Sequence, residues 1–351
     1  MESPELDARA CARETRPMTS LDLTPWPQLE AHDARPLTGG LINATWAVGS
    51  PPVGVVQRLS PIFGPEVHHD IAAVVAHLDA RGVCTPRLIP TGSGLSYHLD
   101  SEGACWRALT WIPGVSHQRL TDPAQAAAAA RFVARWHRSL ENLQHEFVHV
   151  RVGVHDTSAH MTRLAGTLVT GFDHRLFPDV ERVGAEILGA WANWEGPQDL
   201  PLRIAHGDLK VSNVRFDAAG QAVALVDLDT LGRMPIDAEL GDAWRSWCNR
   251  ATEDSLEAQL DLEIFEAAAT AYLEENPLPP EERQALPGGI ERISLELAAR
   301  FAVDAIEESY FGWSAQIAPT RGEHNLLRAR GQLSLAIAVR GLRDKMDAVV
   351  R

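Results

Sequence analysis

The sequence predicts an α+β protein with two lobes, a small strand-rich N-terminal lobe and a larger, mostly helical C-terminal lobe. Short β-type runs separated by turn residues precede residue 112, and helical periodicity dominates after residue 122. Between them, Pro113-Gly114 interrupts regular structure. We therefore expect lobes at residues 21–114 and 115–351, preceded by a mobile tail at residues 1–20.

Composition excludes several classes of protein. The chain has 351 residues, of which 45% are hydrophobic and 23% charged, as in ordinary folded domains. A formal net charge of -15 repels polyanions, so we expect no nucleic-acid or anionic-membrane partner. No apolar run reaches the ~18 residues of a membrane span. The four cysteines form no CxxC pair, and acidic residues replace a signal peptide, which favours a cytoplasmic location.

The N-terminal lobe is predicted to contain a hairpin, a helix and further short strands. The hairpin joins residues 45–48 to 53–59 across a Gly-Ser-Pro-Pro turn. Apolar residues at helical spacing predict a helix over 65–81 that ends near Gly82. Strand-like runs follow at 87–90, 95–99 and 106–111.

The C-terminal lobe begins with an Ala-rich segment. Asp122 and Pro123 supply an N-cap and a first-turn proline, and large apolar residues through Leu140 continue a helical stripe. This pattern predicts a buried helix. After residue 255 the pattern is mostly helical, with breaks expected at 277–280 and at 287–289.

The segment that carries the chemistry runs from His206 to Asn213 with the sequence HGDLKVSN, followed by two β-type runs around Gly220 and by the sequence DLD. Such a hairpin brings Asp208, Asn213 and Asp227 to one end. Asp208 can accept a proton from a substrate hydroxyl, and Lys210 can neutralise a transferred phosphoryl group. Asn213 and Asp227 supply the hard oxygen ligands that Mg²⁺ prefers. The residues therefore predict phosphoryl transfer from ATP with Mg²⁺.

The pattern HGDxxxxN, with an acid beyond the hairpin, resembles the aminoglycoside phosphotransferase and choline kinase family, which implies a protein-kinase-like fold and ATP use. Other segments resemble its N-acetylhexosamine 1-kinase subgroup, at residues 41–46, 56–59, 155–157, 227–230, 241–242, 300–304, 310–311 and 325–330. The subgroup implies transfer to the anomeric hydroxyl of a hexose or N-acetylhexosamine. Asp208 would face that hydroxyl, and Arg300 and Tyr310 would bind sugar oxygens. An aminoglycoside and a choline- or homoserine-type alcohol stay open as acceptors, as do a monomer and a homodimer.

Nucleotide contacts are expected in the N-terminal lobe. A Gly-rich turn that can lay backbone N–H groups over phosphates contains Gly39, Gly40, Asn43 and Thr45. The resemblance also implies adenine contacts from the backbone near Thr110 and Ile112, in the segment between the lobes.

A cationic phosphate ligand is expected on the second strand of the hairpin. Arg58 stands where the family places this cation, and Gln57, on the other strand face, is the alternative. Glu66 and Asp70 on the following helix are candidates for its ion-pair partner.

Several C-terminal residues admit two interpretations. Arg300 and Asp304 are four apart and can form a helix ion pair instead of a sugar site. Tyr310, like Phe311 and Trp313, suits a sugar-stacking edge, but core packing is favoured. Asp242 resembles the acid that braces the family's catalytic loop, and Asp229 is a candidate acid just behind the site.

Two competing functions remain. The run from His145 to His149 has the sequence HEFVH, which matches a zinc-protease signature, and His155 follows as a third histidine. Alternating valines from Val148 onward oppose the helix that adjacent zinc ligands need. A kinase-like binding protein without catalysis is opposed by the intact Asp208 and Asn213 together with Asp227.

Overall fold

The computed structural model describes residues 21–37, 42–150, 153–251, 254–256 and 258–351. The chain forms two compact units. Unit 1 comprises the described residues up to Pro113 together with Gln144–His149, and unit 2 comprises Gly114–Leu143 and the described residues after His149. The tail predicted at 1–20 lies outside the described residues.

Unit 1 is strand-rich. Its elements are β1 (Ala34–Pro36), β2 (Ala44–Val48), β3 (Gly54–Arg58), α1 (Val67–Asp79), β4 (Leu88–Ile89), β5 (His98–Leu99) and β6 (Cys105–Thr110). The strands form one antiparallel six-stranded sheet in the order β1-β2-β3-β6-β4, with β5 also paired to β6. The predicted hairpin is confirmed as β2 and β3, with Ala47 opposite Val55. Strand β1 was not predicted, because its three residues are too short to show a period.

Unit 2 is mostly helical. Its elements are α2 (Pro123–Leu140), α3 (Thr157–Thr170), α4 (Phe177–Ala192), β7 (Leu202–Ala205), β8 (Val214–Phe216), β9 (Ala222–Leu225), β10 (Gly232–Pro235), α5 (Ile236–Trp247), α6 (Leu262–Glu275), α7 (Pro280–Glu307) and α8 (Arg321–Val350). Strands β7 and β10 form one antiparallel pair and β8 and β9 another. Apolar side chains of α3, α4, α7 and α8 pack into a common core. The predicted α+β class is therefore confirmed.

The Ala-rich helix α2 starts where its cap predicts. The Asp122 carboxylate accepts a hydrogen bond of 2.8 Å from the Ala124 N–H, and Pro123 occupies the first turn. Phe132, Val133 and Trp136 are buried along one stripe. The helix is thus held by burial of a continuous apolar face.

The break expected at 287–289 is wrong, because α7 continues through Pro287. A Cβ built on Gly289 would lie 2.1 Å from the carbonyl oxygen of Asp237, and one on Gly241 would lie 2.6 Å from the Gly289 backbone. These glycines let α5 and α7 approach closely, and burial of α7 overrides the local helix-breaking tendency. The break at 277–280 is confirmed, since α6 ends at Glu275 and α7 begins at Pro280.

Among the described residues, no helix combines the length and the apolar character needed to cross a bilayer.

Candidate active site

The site is built on the loop that leaves β7. After His206 the chain turns sharply at Gly207, whose φ is +79°. A Cβ at this position would lie 2.3 Å from the carbonyl oxygen of Thr230, so only glycine fits. The loop then passes Asp208 and enters β8 through a single 3₁₀ turn that ends at Asn213. This path presents the Asp208 carboxylate at the end of the β8–β9 hairpin.

The structure brings Asp208 and Asn213 together, as the sequence predicts, and places Lys210 beside Asp208. Lys210 Nζ donates to Asp208 Oδ2 at 2.5 Å. Asn213 Nδ2 donates to the same oxygen at 3.1 Å and to the Asp208 carbonyl at 2.8 Å. The Asp208 side chain is 25% exposed and that of Lys210 is 42% exposed, so both can meet a small molecule.

Asp227 lies at the same end of the hairpin as Asn213, directly after β9. Its φ of 68° and ψ of 61° are left-handed, an uncommon conformation for a residue other than glycine. The neighbouring Val226 N–H donates to the Asn213 carbonyl at 2.9 Å, which ties the two strand ends together. Asp229 follows in a short turn and is buried.

The acids of the site act together on Lys210. Burial alone would lower the pKa of the ammonium, but the charges of Asp208, Asp227 and Asp242, with the Asp208 hydrogen bond, hold it above its ordinary value. Lys210 is therefore a permanent cation near neutral pH.

The loop that carries Asp208 is held in place by Glu239, a contact that the sequence did not predict. Its Oε1 accepts from the His206 N–H at 2.7 Å and its Oε2 from the Gly207 N–H at 3.0 Å. His137 Nε2 lies 3.3 Å from the same carboxylate. Burial would raise the pKa of Glu239, but these hydrogen bonds and the nearby histidine charges hold it below its ordinary value. The sequence signal that could have revealed this contact is the position of an acid on the apolar stripe of α5, between Ile236 and Ala243.

The prediction that Asp242 is this brace is wrong. Asp242 accepts from Arg245 Nη2 at 3.1 Å, one turn along α5. Its neighbour three positions back, Glu239, is the residue that points toward the loop. Trp247, at the end of α5, adds a second tie by donating from Nε1 to the Leu209 carbonyl at 2.7 Å.

The predicted acceptor residues Arg300 and Tyr310 lie together in unit 2. The Arg300 guanidinium carbon lies 5.8 Å from the Tyr310 ring centre and 5.5 Å from that of Phe311. Tyr310 is 58% exposed, and Trp313 is also exposed, so the favoured core interpretation is wrong for both.

The alternative of an Arg300–Asp304 ion pair is also wrong. Arg300 Nη1 lies 3.8 Å from Glu296, in the preceding turn of α7. Asp304 instead accepts from the backbone N–H groups of Ser309, Tyr310 and Phe311 at 2.8–2.9 Å. The acid is buried and fixes the loop that carries Tyr310.

In unit 1, some of the residues predicted to bind the nucleotide form hydrogen bonds within the protein. Gly39 and Gly40 lie outside the described residues. Asn43 Oδ1 accepts from the Ser60 N–H at 2.9 Å, and Thr45 Oγ1 donates to the Asn43 carbonyl. The Thr110 N–H donates to the Arg87 carbonyl at 2.9 Å, so this N–H is not an adenine contact. The role of Ile112 stays a prediction.

Arg58 and Gln57 differ in their surroundings. Gln57 Oε1 accepts from Arg107 Nε at 2.8 Å and its Nε2 donates to Thr45, which occupies both ends of the amide. Arg58 is partly exposed and lies 4.0 Å from Glu102. It forms no ion pair with Glu66 or Asp70 among the described residues, so that expectation is wrong.

A family model for a phosphotransferase enzyme family matches residues 33–275, well over half of the chain. The chain belongs to the phosphotransferase enzyme family. The matched residues include the HGDLKVSN loop, Asp227 and Glu239.

Solved structures support the fold of this phosphotransferase. A microcompartment-associated aminopropanol kinase is 16% identical with a TM-score of 0.63, covering 92% of this chain and 96% of that one. An aminoglycoside phosphotransferase from Alicyclobacillus acidocaldarius is 15% identical with a TM-score of 0.60, covering 96% of this chain and 100% of that one. An amicoumacin kinase in complex with AMP-PNP and Ca²⁺ is 13% identical with a TM-score of 0.59, covering 92% and 91%. Each of the three is similar to this chain in fold.

The zinc-protease alternative is wrong for this phosphotransferase. Residues 145–147 are not helical, and His145 Nε2 donates to Asp70 Oδ1 at 2.7 Å. The His149 N–H donates to the same carboxylate at 2.8 Å. Over the described part of the chain, no three His, Cys, Asp or Glu side chains are grouped to hold a metal ion. The acid of α1 thus binds this segment, which explains why Asp70 does not pair with Arg58.

The end of the hairpin that carries Asn213 and Asp227 offers oxygen ligands, which suit Mg²⁺ rather than zinc. The Asn213 amide nitrogen is committed to Asp208, which leaves Oδ1 as its ligand atom. Together with the Asp227 carboxylate this is a hard oxygen set. Mg²⁺ is commonly held by one or two carboxylates plus substrate phosphates, so a cage of three acids is not required.

Proposed function

We propose that this phosphotransferase transfers the γ-phosphoryl group of ATP, with Mg²⁺, onto a hydroxyl of a small molecule. The observation that carries the proposal is the Asp208 carboxylate, held by Lys210 and Asn213 beside Asp227. A partly exposed carboxylate that lies next to a cation and near two oxygen ligands for Mg²⁺ is the arrangement that phosphoryl transfer to an alcohol needs.

Asp208 orients the acceptor hydroxyl and takes its proton as the oxygen attacks the γ-phosphorus. A bond forms between the acceptor oxygen and phosphorus, the bond to the β-phosphate oxygen breaks, and ADP leaves. Lys210 donates to Asp208 before transfer and offsets the phosphoryl charge during it. Asn213 Oδ1 and the Asp227 carboxylate would hold Mg²⁺, which neutralises phosphate charge when bound.

Nucleotide binding is assigned in part to Arg58, whose guanidinium can hold a phosphate through its fork. Gln57 is the weaker candidate, since Arg107 and Thr45 occupy its amide. Support for a nucleoside triphosphate also comes from the amicoumacin kinase solved with AMP-PNP and Ca²⁺.

For the acceptor we propose the anomeric hydroxyl of a hexose or N-acetylhexosamine, the assignment suggested by the N-acetylhexosamine 1-kinase resemblance. Arg300 supplies donors suited to sugar hydroxyls or an acetamido carbonyl, and the exposed Tyr310 ring gives a stacking edge. A guanidinium there repels a cationic acceptor.

Amino alcohols are the second candidate. Two of the structures similar in fold are named as an aminopropanol kinase and an aminoglycoside phosphotransferase. The formal net charge of -15 also suits a cationic acceptor.

A coupled ADP-release assay with Mg²⁺ and ATP separates these candidates. The panel contains N-acetylglucosamine, galactose, choline, aminopropanol and kanamycin, and phosphorus and proton NMR identify the product. A sugar 1-phosphate supports the proposed acceptor, whereas transfer only to amino alcohols replaces it. Absence of transfer to every acceptor by folded protein rejects the kinase proposal.

A further inference from the structure

Glu296, a buried acid on α7, contacts both His155 and the proposed acceptor residue Arg300. Glu296 is buried, and its Oε1 accepts from His155 Nδ1 at 3.0 Å. Its Oε2 accepts from Thr157 Oγ1 at 2.7 Å, and Arg300 Nη1 lies 3.8 Å away. One carboxylate thus sets the positions of both His155 and Arg300.

The backbone of His155 is fixed as well. Arg292 Nη2 donates to the His155 carbonyl at 3.1 Å and its Nε donates to Thr157 Oγ1 at 3.1 Å. With the carbonyl and Nδ1 both bonded, the imidazole plane has little freedom. Its Nε2 makes no hydrogen bond to a described residue, and it does not belong to the buried unpartnered atoms. The side chain is 15% exposed, so Nε2 is the edge that reaches solvent.

His155 and the loop that carries Asp208 share a charged neighbour and a supporting helix. The Asp242 carboxylate acts electrostatically on both His155 and Lys210, and Arg300 acts on His155. Arg292, which binds the His155 carbonyl, also lies 3.5 Å from Asp237 of α5, and Glu239 of the same helix accepts from the N–H groups of His206 and Gly207. His155 and the loop that leads to Asp208 are therefore both bound to α5.

We propose that His155 is an acceptor-binding residue whose Nε2–H donates a hydrogen bond to an acceptor oxygen, with Glu296 as the positioning residue for both His155 and Arg300. This inference rests on the proposed function, since it concerns the acceptor of the same transfer. It assigns a donor pair, imidazolium and guanidinium, that favours neutral or oxygen-rich acceptors over amines.

The protonation of His155 supports this geometry. Burial would lower the pKa of the imidazole, but the Glu296 hydrogen bond and the charges of Glu296 and Asp242 outweigh burial and Arg300, so the pKa is raised. The donor Nε2–H is present below this raised pKa and is lost as the pH rises through it. The affinity for the acceptor should therefore weaken as the pH rises through the pKa of His155, which gives the pH profile of the acceptor KM an alkaline limb.

The test compares His155→Asn and Glu296→Gln with wild type, and with His69→Gln, which removes an exposed histidine of α1. Steady-state KM for N-acetylglucosamine and for ATP is measured between pH 6 and 9, with Tm recorded for each protein. We expect His155→Asn to raise the acceptor KM by about ten- to one hundredfold, while the ATP KM stays within about twofold. Glu296→Gln should move the alkaline limb of the acceptor KM to lower pH.

Two kinetic results overturn the inference in distinguishable ways. An acceptor KM and pH profile in His155→Asn equal to those of wild type, with only Tm lowered, assigns the Glu296 network to stability alone. If folded wild type phosphorylates no sugar in the panel, the proposed sugar acceptor fails and this assignment of His155 fails with it. Imidazole NMR gives a second readout, because N-acetylglucosamine should shift the His155 ring signals in wild type and a lack of shift contradicts the contact.

Discussion

The substitution Glu239→Gln tests how much Glu239 contributes to holding the loop that carries Asp208. The carboxylate accepts from the N–H groups of His206 and Gly207, at 2.7 and 3.0 Å, through different oxygens. A glutamine keeps one oxygen and turns an NH₂ group toward the other donor. One buried N–H then faces another donor, and His137 loses its charged partner at 3.3 Å.

The magnitude follows from these losses. A buried donor without an acceptor costs about 1–3 kcal/mol, and a hydrogen bond to a charged carboxylate contributes about 1.5–3 kcal/mol. Taking these losses together, we expect Glu239→Gln to lower the free energy of unfolding by about 3–5 kcal/mol at pH 7. Because Gly207 precedes Asp208, kcat should fall as well, while the loop's metal ligands remain.

Urea unfolding followed by tryptophan fluorescence measures the first effect, and kcat measures the second. Glu266→Gln, at an exposed position of α6, is the matched control and should change neither. The pKa of Glu239 is lowered in the fold, so its stabilisation is present above the unfolded pKa and is lost as pH falls through the folded value. The deficit of Glu239→Gln should therefore shrink in acid. A variant as stable as Glu266→Gln at pH 7 would refute the brace.

Two further substitutions test packing and the acceptor loop. Gly289→Ala should destabilise the protein by about 1–3 kcal/mol in urea, because its Cβ would meet the Asp237 carbonyl oxygen at 2.1 Å. Gly341→Ala, with open space around its Cβ on α8, should instead stabilise by about 0.5–1 kcal/mol, and equal effects of the two changes would exclude the close helix approach. Asp304→Asn weakens the N–H contacts that fix Tyr310, so steady-state kinetics should show a raised acceptor KM with an unchanged ATP KM; a parallel rise in both KM values would count against a local role.

The proximity of the proposed catalytic residues could be predicted from sequence because their geometry is local. Asp208, Lys210 and Asn213 lie within one loop and one short turn, and the β8–β9 hairpin returns the chain to Asp227. A short segment with strong turn residues therefore determines which side chains meet. The register of the β2–β3 hairpin was predictable for the same reason.

Contacts between distant segments could not be predicted in this way. Glu239 reaches His206 across a separation of 33 residues, and Asp70 is bound by His145 from 75 residues along the chain. Periodicity places such acids on a helix face but does not identify what packs there. Gly241 and Gly289 likewise show their role only once α5 and α7 are packed together. The sequence around Gly289 alone therefore suggested a break in the helix.

The most direct test of the central claim is single-turnover phosphoryl transfer by wild type and Asp208→Asn, with ATP, Mg²⁺ and the acceptor found in the screen. Phosphorus NMR follows the product, and nucleotide binding is measured in parallel. We predict a phosphate monoester of the acceptor from wild type. For Asp208→Asn we predict a rate lower by about 10²–10⁴-fold with ATP affinity within about twofold, because the carboxylate serves the acceptor hydroxyl. An unchanged rate in Asp208→Asn, or an equal loss of rate and ATP affinity, would contradict the account.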